Sequence, residues 1–465
     1  VLVARTLGLQ LLTAGVTVVL ARLLTPEDYG LFAIALSVQL VGQNLAELGL
    51  PAALVRMSEA PSRELQAATI GLLLTVTAGG AAAMFATAFL ILPALGSSSE
   101  LMEAIAITLL ALPLYAVRAV PMAMMDRGMR FGRVAAVETA DTLGFNVFAL
   151  SAALAGLGVF SLAGAVPIGA SMGVLVAWAI QDSARRPRFE LSRVRPLIGF
   201  GSRVSVLGVL YLGRDLGFVT VIGAVGGASV AGFYAMAKRL FSIPTALAAA
   251  VSRVALPALS QSGSQRAART ARLLGQIGLV CGLPLALVAG SVEPLVEVLL
   301  GSEWAPTTDI VLFGSLSLLL GASIASPINS YFLAEGRPNA PVVAIVAEVA
   351  VGLLLAGVLM SALGESGVGI AMTAGALVSA TILLTTTDPT VRAGSDSVAR
   401  AAAIAFLAAA AGLLLPVPDD VVGVLASLLA AGIAWLALAA IFARGELAQA
   451  VGMIRAVMPR FGGNG

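Results

Sequence analysis

Runs of about 20 apolar residues recur along the whole chain, each long enough to cross a hydrocarbon core of about 30 Å as a helix. No water is available in that core to satisfy backbone N–H and C=O groups, so each run must close its hydrogen bonds within itself. Only 11% of the 465 residues are charged and 59% are hydrophobic, with mean hydropathy +1.00. Soluble domains carry about 25% charged residues, so a water-soluble fold is excluded. The spacing predicts an all-α membrane protein with spans at 1–22, 28–49, 66–93, 101–124, 134–155, 158–180, 197–223, 229–257, 272–300, 307–333, 341–362, 367–386, 399–416 and 420–443. The opening run lacks a charged leader and a small-residue cleavage site, so it reads as a first membrane helix rather than a signal peptide, with a few residues expected before it.

The connecting loops alternate in arginine content, which sets orientation by the positive-inside rule. One set holds Arg56 and Arg63, then Arg127, Arg130 and Arg133, then Arg185, Arg186, Arg188, Arg193 and Arg195, then Arg266, Arg269 and Arg272. It continues with Arg337, with Arg392 and Arg400, and with Arg444, Arg455 and Arg460. The intervening loops, such as 96–100, 156–159, 226–229, 301–306 and 416–420, hold no Arg or Lys. Fourteen spans with this alternation place both termini in the cytoplasm, in a multi-pass protein of the inner membrane.

Composition narrows the chemistry further. The chain has no histidine and one cysteine, Cys281, so neither a disulfide framework nor a Cys/His metal site is expected, and histidine catalysis is excluded. No Gly-rich loop cradles a nucleotide, so no cofactor is expected and energy must come from an ion gradient, the membrane potential or downhill product use. A net charge of +2 gives no sign of nucleic-acid binding, and 50 glycines suit close helix approach in lipid.

Transporters are often built from duplicated helical bundles. Leu24-Thr-Pro-Glu-Asp-Tyr-Gly30-Leu-Phe32-Ala33 aligns with Gly226-Gly-Ala-Ser-Val-Ala-Gly232-Phe-Tyr234-Ala235 at an offset of 202, and Ala135-Ala-Val-Glu138 with Ile345-Val-Ala-Glu348 at 210. Six spans separate the copies, so the repeat is parallel, with its axis along the membrane normal. The expected organisation is a lobe of six spans (1–180), a basic cytoplasmic connector (181–196), a second six-span lobe (197–386), an added helix pair (399–443) and a cytoplasmic tail (444–465). A central cavity is expected between the lobes.

Ionisable side chains in the bilayer are costly and normally face the bundle interior or water, so they outline that cavity. Arg203 and Arg214 share one face of the seventh span, about 16 Å apart, with Asp215 beside them. The eighth span brings Lys238, the chain's one lysine, and Arg239 to similar depth. In the first lobe Arg118 stands opposite Glu138 and Asp141, which either neutralise it or couple ions. Glu348, and Glu293 with Glu297, either couple ions or line water. A cationic cavity suits an anionic substrate, since arginine pairs with phosphate through two hydrogen bonds at once.

Leu20-Ala-Arg22-Leu-Leu-Thr-Pro26-Glu-Asp-Tyr29-Gly30-Leu-Phe resembles the opening signature of polysaccharide transporters of the Wzx flippase type, in the superfamily (MOP) that also holds MATE multidrug exporters and the lipid II flippase. Gly232-Phe-Tyr234-Ala-Met-Ala-Lys238-Arg239-Leu-Phe-Ser-Ile-Pro244 is similar to that family's eighth-helix motif, followed by Leu256-Pro-Ala-Leu-Ser260. Leu300-Gly-Ser-Glu-Trp304-Ala-Pro306 and Ala334-Glu-Gly336-Arg337 resemble two further patterns, so the likeness spans residues 1 to about 340. One departure is Leu212-Gly-Arg214-Asp215, where an Asn/Asp pair is more usual, so Arg214 belongs to a subgroup rather than to a shared mechanism.

The resemblance implies a V-shaped pair of lobes that moves undecaprenyl-pyrophosphate-linked oligosaccharide from inner to outer leaflet by alternating access. Membrane lipids and the polymerase or ligase of the same pathway are then the expected partners. A cation-coupled exporter of the same fold is the alternative, and would centre its site on carboxylates. A membrane glycosyltransferase or ligase would need a sizeable outer loop, and every outer loop here is short.

Overall fold

The computed structural model describes residues 2–47, 49–57, 59–93, 98–184, 186–242, 245, 263–337 and 339–449; the side chains of residues 2–11, 46, 196, 199–212, 214 and 215 lie outside the description. Among the described residues the chain is helical throughout and holds no strand. The helices are α1 (Leu2–Leu23), α2 (Pro26–Ala46), α3 (Leu50–Arg56), α4 (Arg63–Ile91), α5 (Ser99–Leu109), α6 (Ala111–Arg127), α7 (Phe131–Leu154), α8 (Val159–Ile180) and α9 (Leu191–Leu240). They continue as α10 (Arg266–Gly290), α11 (Val292–Leu299), α12 (Thr307–Leu320), α13 (Ser326–Ala334), α14 (Asn339–Leu363), α15 (Glu365–Thr386), α16 (Pro389–Ala393), α17 (Ser395–Leu413) and α18 (Val421–Phe442). The chain is a multi-pass membrane protein. By length and composition ten of the described helical stretches can cross a membrane, or eleven if the bent pair of α2 and α3 is counted as one span.

That number is below the fourteen expected, for identifiable reasons. Glu138 and Asp141 interrupt the apolar run of α7, and many side chains of the first and seventh spans are outside the described set. The fourth, ninth and tenth spans are among the ten, but proline reshapes each of them. Pro113 removes a hydrogen bond to the preceding turn, and the fourth span divides at Leu110 into α5 and α6. Pro294 follows the break at Ser291, so 292–299 is a separate short helix, and Glu293 and Glu297 do not continue the ninth span. Pro327 follows a π-turn over Gly321–Ala325 in the tenth span, a way for a helix to absorb a missing donor.

The two copies of the sequence repeat open their helices in corresponding ways. Thr25 caps α2: its side chain accepts from the Asp28 N–H at 3.2 Å, the Asp28 carboxylate accepts from the Thr25 N–H at 3.0 Å, and Pro26 takes the first turn. The position 202 residues on is Gly227, where φ is +84° and the 50-residue α9 changes direction before resuming. Further along, α7 packs along α8 in the first unit, and α14 along α15 in the second.

Residues 1–223 together with 227–232 form one compact unit, and 224–226 with 233–465 a second. In the first unit the opening of α2 meets residues 228–232 of α9 at a backbone-to-backbone crossing. A Cβ on Gly30 would stand 1.6 Å from the Ala228 carbonyl oxygen, and one on Gly232 would stand 1.9 Å from that of Pro26. Pro26 and Ala228, like Gly30 and Gly232, stand 202 residues apart, and each carbonyl faces the glycine of the other segment. Tyr29, beside Gly30, is buried; in the second unit Tyr234 is buried too. In the second unit Phe233 meets the buried Trp304 edge-to-face, with ring centroids 6.2 Å apart.

Alanine at Gly30 or Gly232 must force these segments apart and should cost about 1–3 kcal/mol, as overpacking does. A Cβ on Gly79 of α4 has no atom within 4 Å, so Gly79→Ala should leave stability unchanged or raise it. Thermal unfolding midpoints in detergent report both outcomes.

Candidate functional site

Within the first unit a polar seam runs between α2, α6, α7 and α8. Arg118 of α6 donates through Nη1 to Asp141 of α7, and the pair is mostly buried, with side-chain exposures of 17% and 23%. The Arg118 guanidinium also lies over the Tyr115 ring, 4.8 Å from its centroid, a cation–π contact that spreads its charge. The pair fits because α8 presents glycines to it. A Cβ on Gly173 would stand 2.7 Å from Arg118 Nη1, and one on Gly169 would stand 2.7 Å from Asp141 Oδ1.

The same seam holds three residues absent from the sequence-based expectation. Gln39 Nε2 donates to Gln43 Oε1 at 3.2 Å, and Gln43 Nε2 donates to Glu47 Oε1 at 3.0 Å. Glu47 lies within electrostatic reach of Arg118, and Gln39 is only 1% exposed. Their signal was available as polar residues at i, i+4, i+8, which occupy one face of a helix inside an otherwise apolar run. Arg118 thus has a carboxylate bonded to it and a second one nearby. Glu138 is exposed and stays outside the seam.

The second unit presents its ionisable residues separately. Lys238 and Arg239 are half-buried near the end of α9, and each interacts with a neighbouring group. Glu348 on α14 is half-buried and likewise engaged, while the Gly375 backbone of α15 packs against its carbonyl. Arg203, Arg214 and Asp215 lie on α9, but their side chains are outside the described set, as are residues 256–260 of the family-like motif. Arg22 is exposed at the end of α1. Among the described residues no three His, Cys, Asp or Glu side chains gather as metal ligands would.

Residues 19–309 match the sequence pattern of a family described as polysaccharide biosynthesis protein. The chain belongs to this family. Among curated relatives, the succinoglycan biosynthesis transport protein ExoT of Rhizobium meliloti (strain 1021) is 28% identical over 341 residues, 70% of this chain and 65% of that protein. The lipopolysaccharide biosynthesis protein WzxC of Escherichia coli (strain K12) is 24% identical over 333 residues, 69% of this chain and 65% of that protein. The chain therefore spans just under two thirds of the length of these relatives. Its fold is similar to that of the lipid II flippase MurJ in an inward closed conformation, with a TM-score of 0.75 and 14% identity over 95% of this chain and 98% of that one. An inward-facing multidrug resistance MATE family transporter of the MOP superfamily gives 0.59 and 13%, over 84% of this chain and 94% of that one.

Removing one partner of a mostly buried ion pair leaves the other uncompensated. In this family member Arg118→Ala or Asp141→Asn should each cost about 2–3 kcal/mol, between the values for exposed and fully buried pairs. Arg118→Met combined with Asp141→Leu should cost clearly less than the sum of the single variants. Unfolding midpoints of the single and double variants measure this coupling.

Proposed function

We propose that the protein is a flippase that carries undecaprenyl-pyrophosphate-linked oligosaccharide from the inner to the outer leaflet of the cytoplasmic membrane, by alternating access, for cell-surface polysaccharide synthesis. The single observation that carries this reading is the family match over residues 19–309, supported by two relatives whose names place them in succinoglycan and lipopolysaccharide biosynthesis. The likeness of fold to the lipid II flippase is consistent with a lipid-linked substrate. The arginine alternation supports cytoplasmic termini, and the pathway's polymerase or ligase would receive the product. The protein carries out translocation and no bond-breaking chemistry.

In this reading the substrate's pyrophosphate meets cations of the second repeat, Arg203, Arg214, Lys238 and Arg239. Arg118, held by Asp141, orders the helices of the first unit, or exchanges partners as the substrate passes. Asp215, Glu138 and Glu348 are the acidic groups that would accompany an ion-coupled cycle. The exporter alternative rests on likeness to MATE structures, which at 13% identity is a likeness of fold.

Deleting the gene should make polyprenyl-linked saccharide accumulate in the inner leaflet, measured by leaflet-selective labelling. The wild-type gene should relieve the accumulation, and Arg214→Ala with Lys238→Ala should not, although the variant protein reaches the membrane in normal amount. An unchanged leaflet distribution after deletion would sink the flippase reading.

A further inference from the structure

The connector after α8 is a fixed strap rather than a loose linker. The Ala184 N–H donates to Gln66 Oε1 at 3.1 Å, and the Arg188 N–H donates to the Ala67 carbonyl at 2.9 Å. Gly71 allows the strap to lie against α4, since a Cβ there would stand 2.0 Å from the Arg188 carbonyl oxygen. Ion pairs hold both ends: Arg63 with Asp182, and Arg193 with Glu190 and, at 2.6 Å, with Glu64. Those two carboxylates also push Arg193 further above its ordinary range, the bonded Glu190 first.

The loop between α6 and α7 joins the same surface. Arg133 Nη1 donates to the Ile180 carbonyl at 2.8 Å, and Arg130 Nη1 to Gln181 Oε1 at 3.5 Å. The two loops and the helix starts that follow them expose four apolar side chains: Phe189 at 73%, Leu191 at 57%, Met129 at 71% and Phe131 at 50%. Arginines flank Phe189 and Leu191 in sequence. Arg186 and Arg195 are exposed with no ion-pair partner among the described residues, and Arg188 reaches Glu190 only at 3.9 Å. Exposed apolar side chains flanked by arginines without ion-pair partners, at the ends of membrane helices, have the composition of an interfacial surface: the apolar groups enter the acyl boundary and the cations meet phosphates.

We propose that the strap and the α6–α7 loop form a docking surface for anionic phospholipid headgroups of the leaflet they face. Phe189, Leu191, Met129 and Phe131 anchor it, and Arg186 and Arg195 hold the lipid phosphates. Because hydrogen bonds fix the strap to the start of α4, lipid bound there ties α4, α7 and α8 together at one end. The inference rests on the helices spanning a membrane and not on the identity of a transported substrate.

The test uses the full-length protein in a neutral detergent. Added phosphatidylglycerol should raise the unfolding midpoint by a few degrees and phosphatidylcholine should not, and the response should shrink at about 0.5 M salt, where charges are screened within a few ångströms. Arg186→Gln with Arg195→Gln should at least halve the response, Arg186→Lys with Arg195→Lys should keep most of it, and Phe189→Ser should weaken it. If the lipid-free midpoint of the glutamine variant falls, the lysine variant against Phe189→Ser still decides the matter. Equal responses to the two lipids, or an undiminished response in both the glutamine and the serine variants, would overturn the proposal. So would an equal rise with inorganic pyrophosphate alone, which would assign the arginines to a soluble anion.

Discussion

Where α2 and residues 228–232 of α9 cross, two backbones touch without side chains between them. The Pro26 and Ala228 carbonyls each lie against the other segment's glycine, at distances that admit a Cα hydrogen and nothing larger. Lipid supplies no hydrophobic force to bring helices together, so contacts of this kind, with small residues and carbonyl oxygens, do that work in a membrane. The reciprocity of this one also gives the internal repeat a physical meaning. Residues matched at an offset of 202 are neighbours in space, and the cap at Thr25 and the positive φ at Gly227 start the two segments at equivalent points.

The second constraint is charge in a medium that does not solvate it. Arg118 is kept by a bonded carboxylate, a ring face and glycines on α8 that leave room for the pair. The Gln39, Gln43 and Glu47 ladder belongs to the same solution, since each amide passes a hydrogen bond to the next. That arrangement gives the first unit a hydrogen-bonded polar interior.

At the arginine-rich ends of the helices the structure turns a connector into an ordered element. Hydrogen bonds and ion pairs to the first turns of α4, with Gly71 allowing close approach, hold the strap in place. The arginines left over after that pairing are the ones with capacity for an external anion, and a count of charges along the sequence does not distinguish them from the rest.

Much of this was legible in the residues alone. Apolar run length dictated helices, because unsatisfied backbone groups are intolerable in lipid whatever the neighbours. The motifs from Leu20 to Arg337, in their order, were enough for the family, and the Thr-Pro-Glu-Asp start for the cap of α2, since capping needs specific residues at specific places. Helix interruptions at Pro113, Pro294 and Pro327 were visible as residues, but whether a proline kinks, divides or merely follows a π-turn depends on what packs beside it. The partners of charged residues were decided by tertiary structure alone. Arg118 had Glu138 and Asp141 within one turn of each other, and the rotation of α7 against α6 and α8 selected Asp141 and left Glu138 outside. Glu47 joined the seam through Gln43 and Arg118, and the strap's pairing with α4 joins residues more than a hundred apart. Such pairings turn on which helix faces meet, which no local pattern encodes.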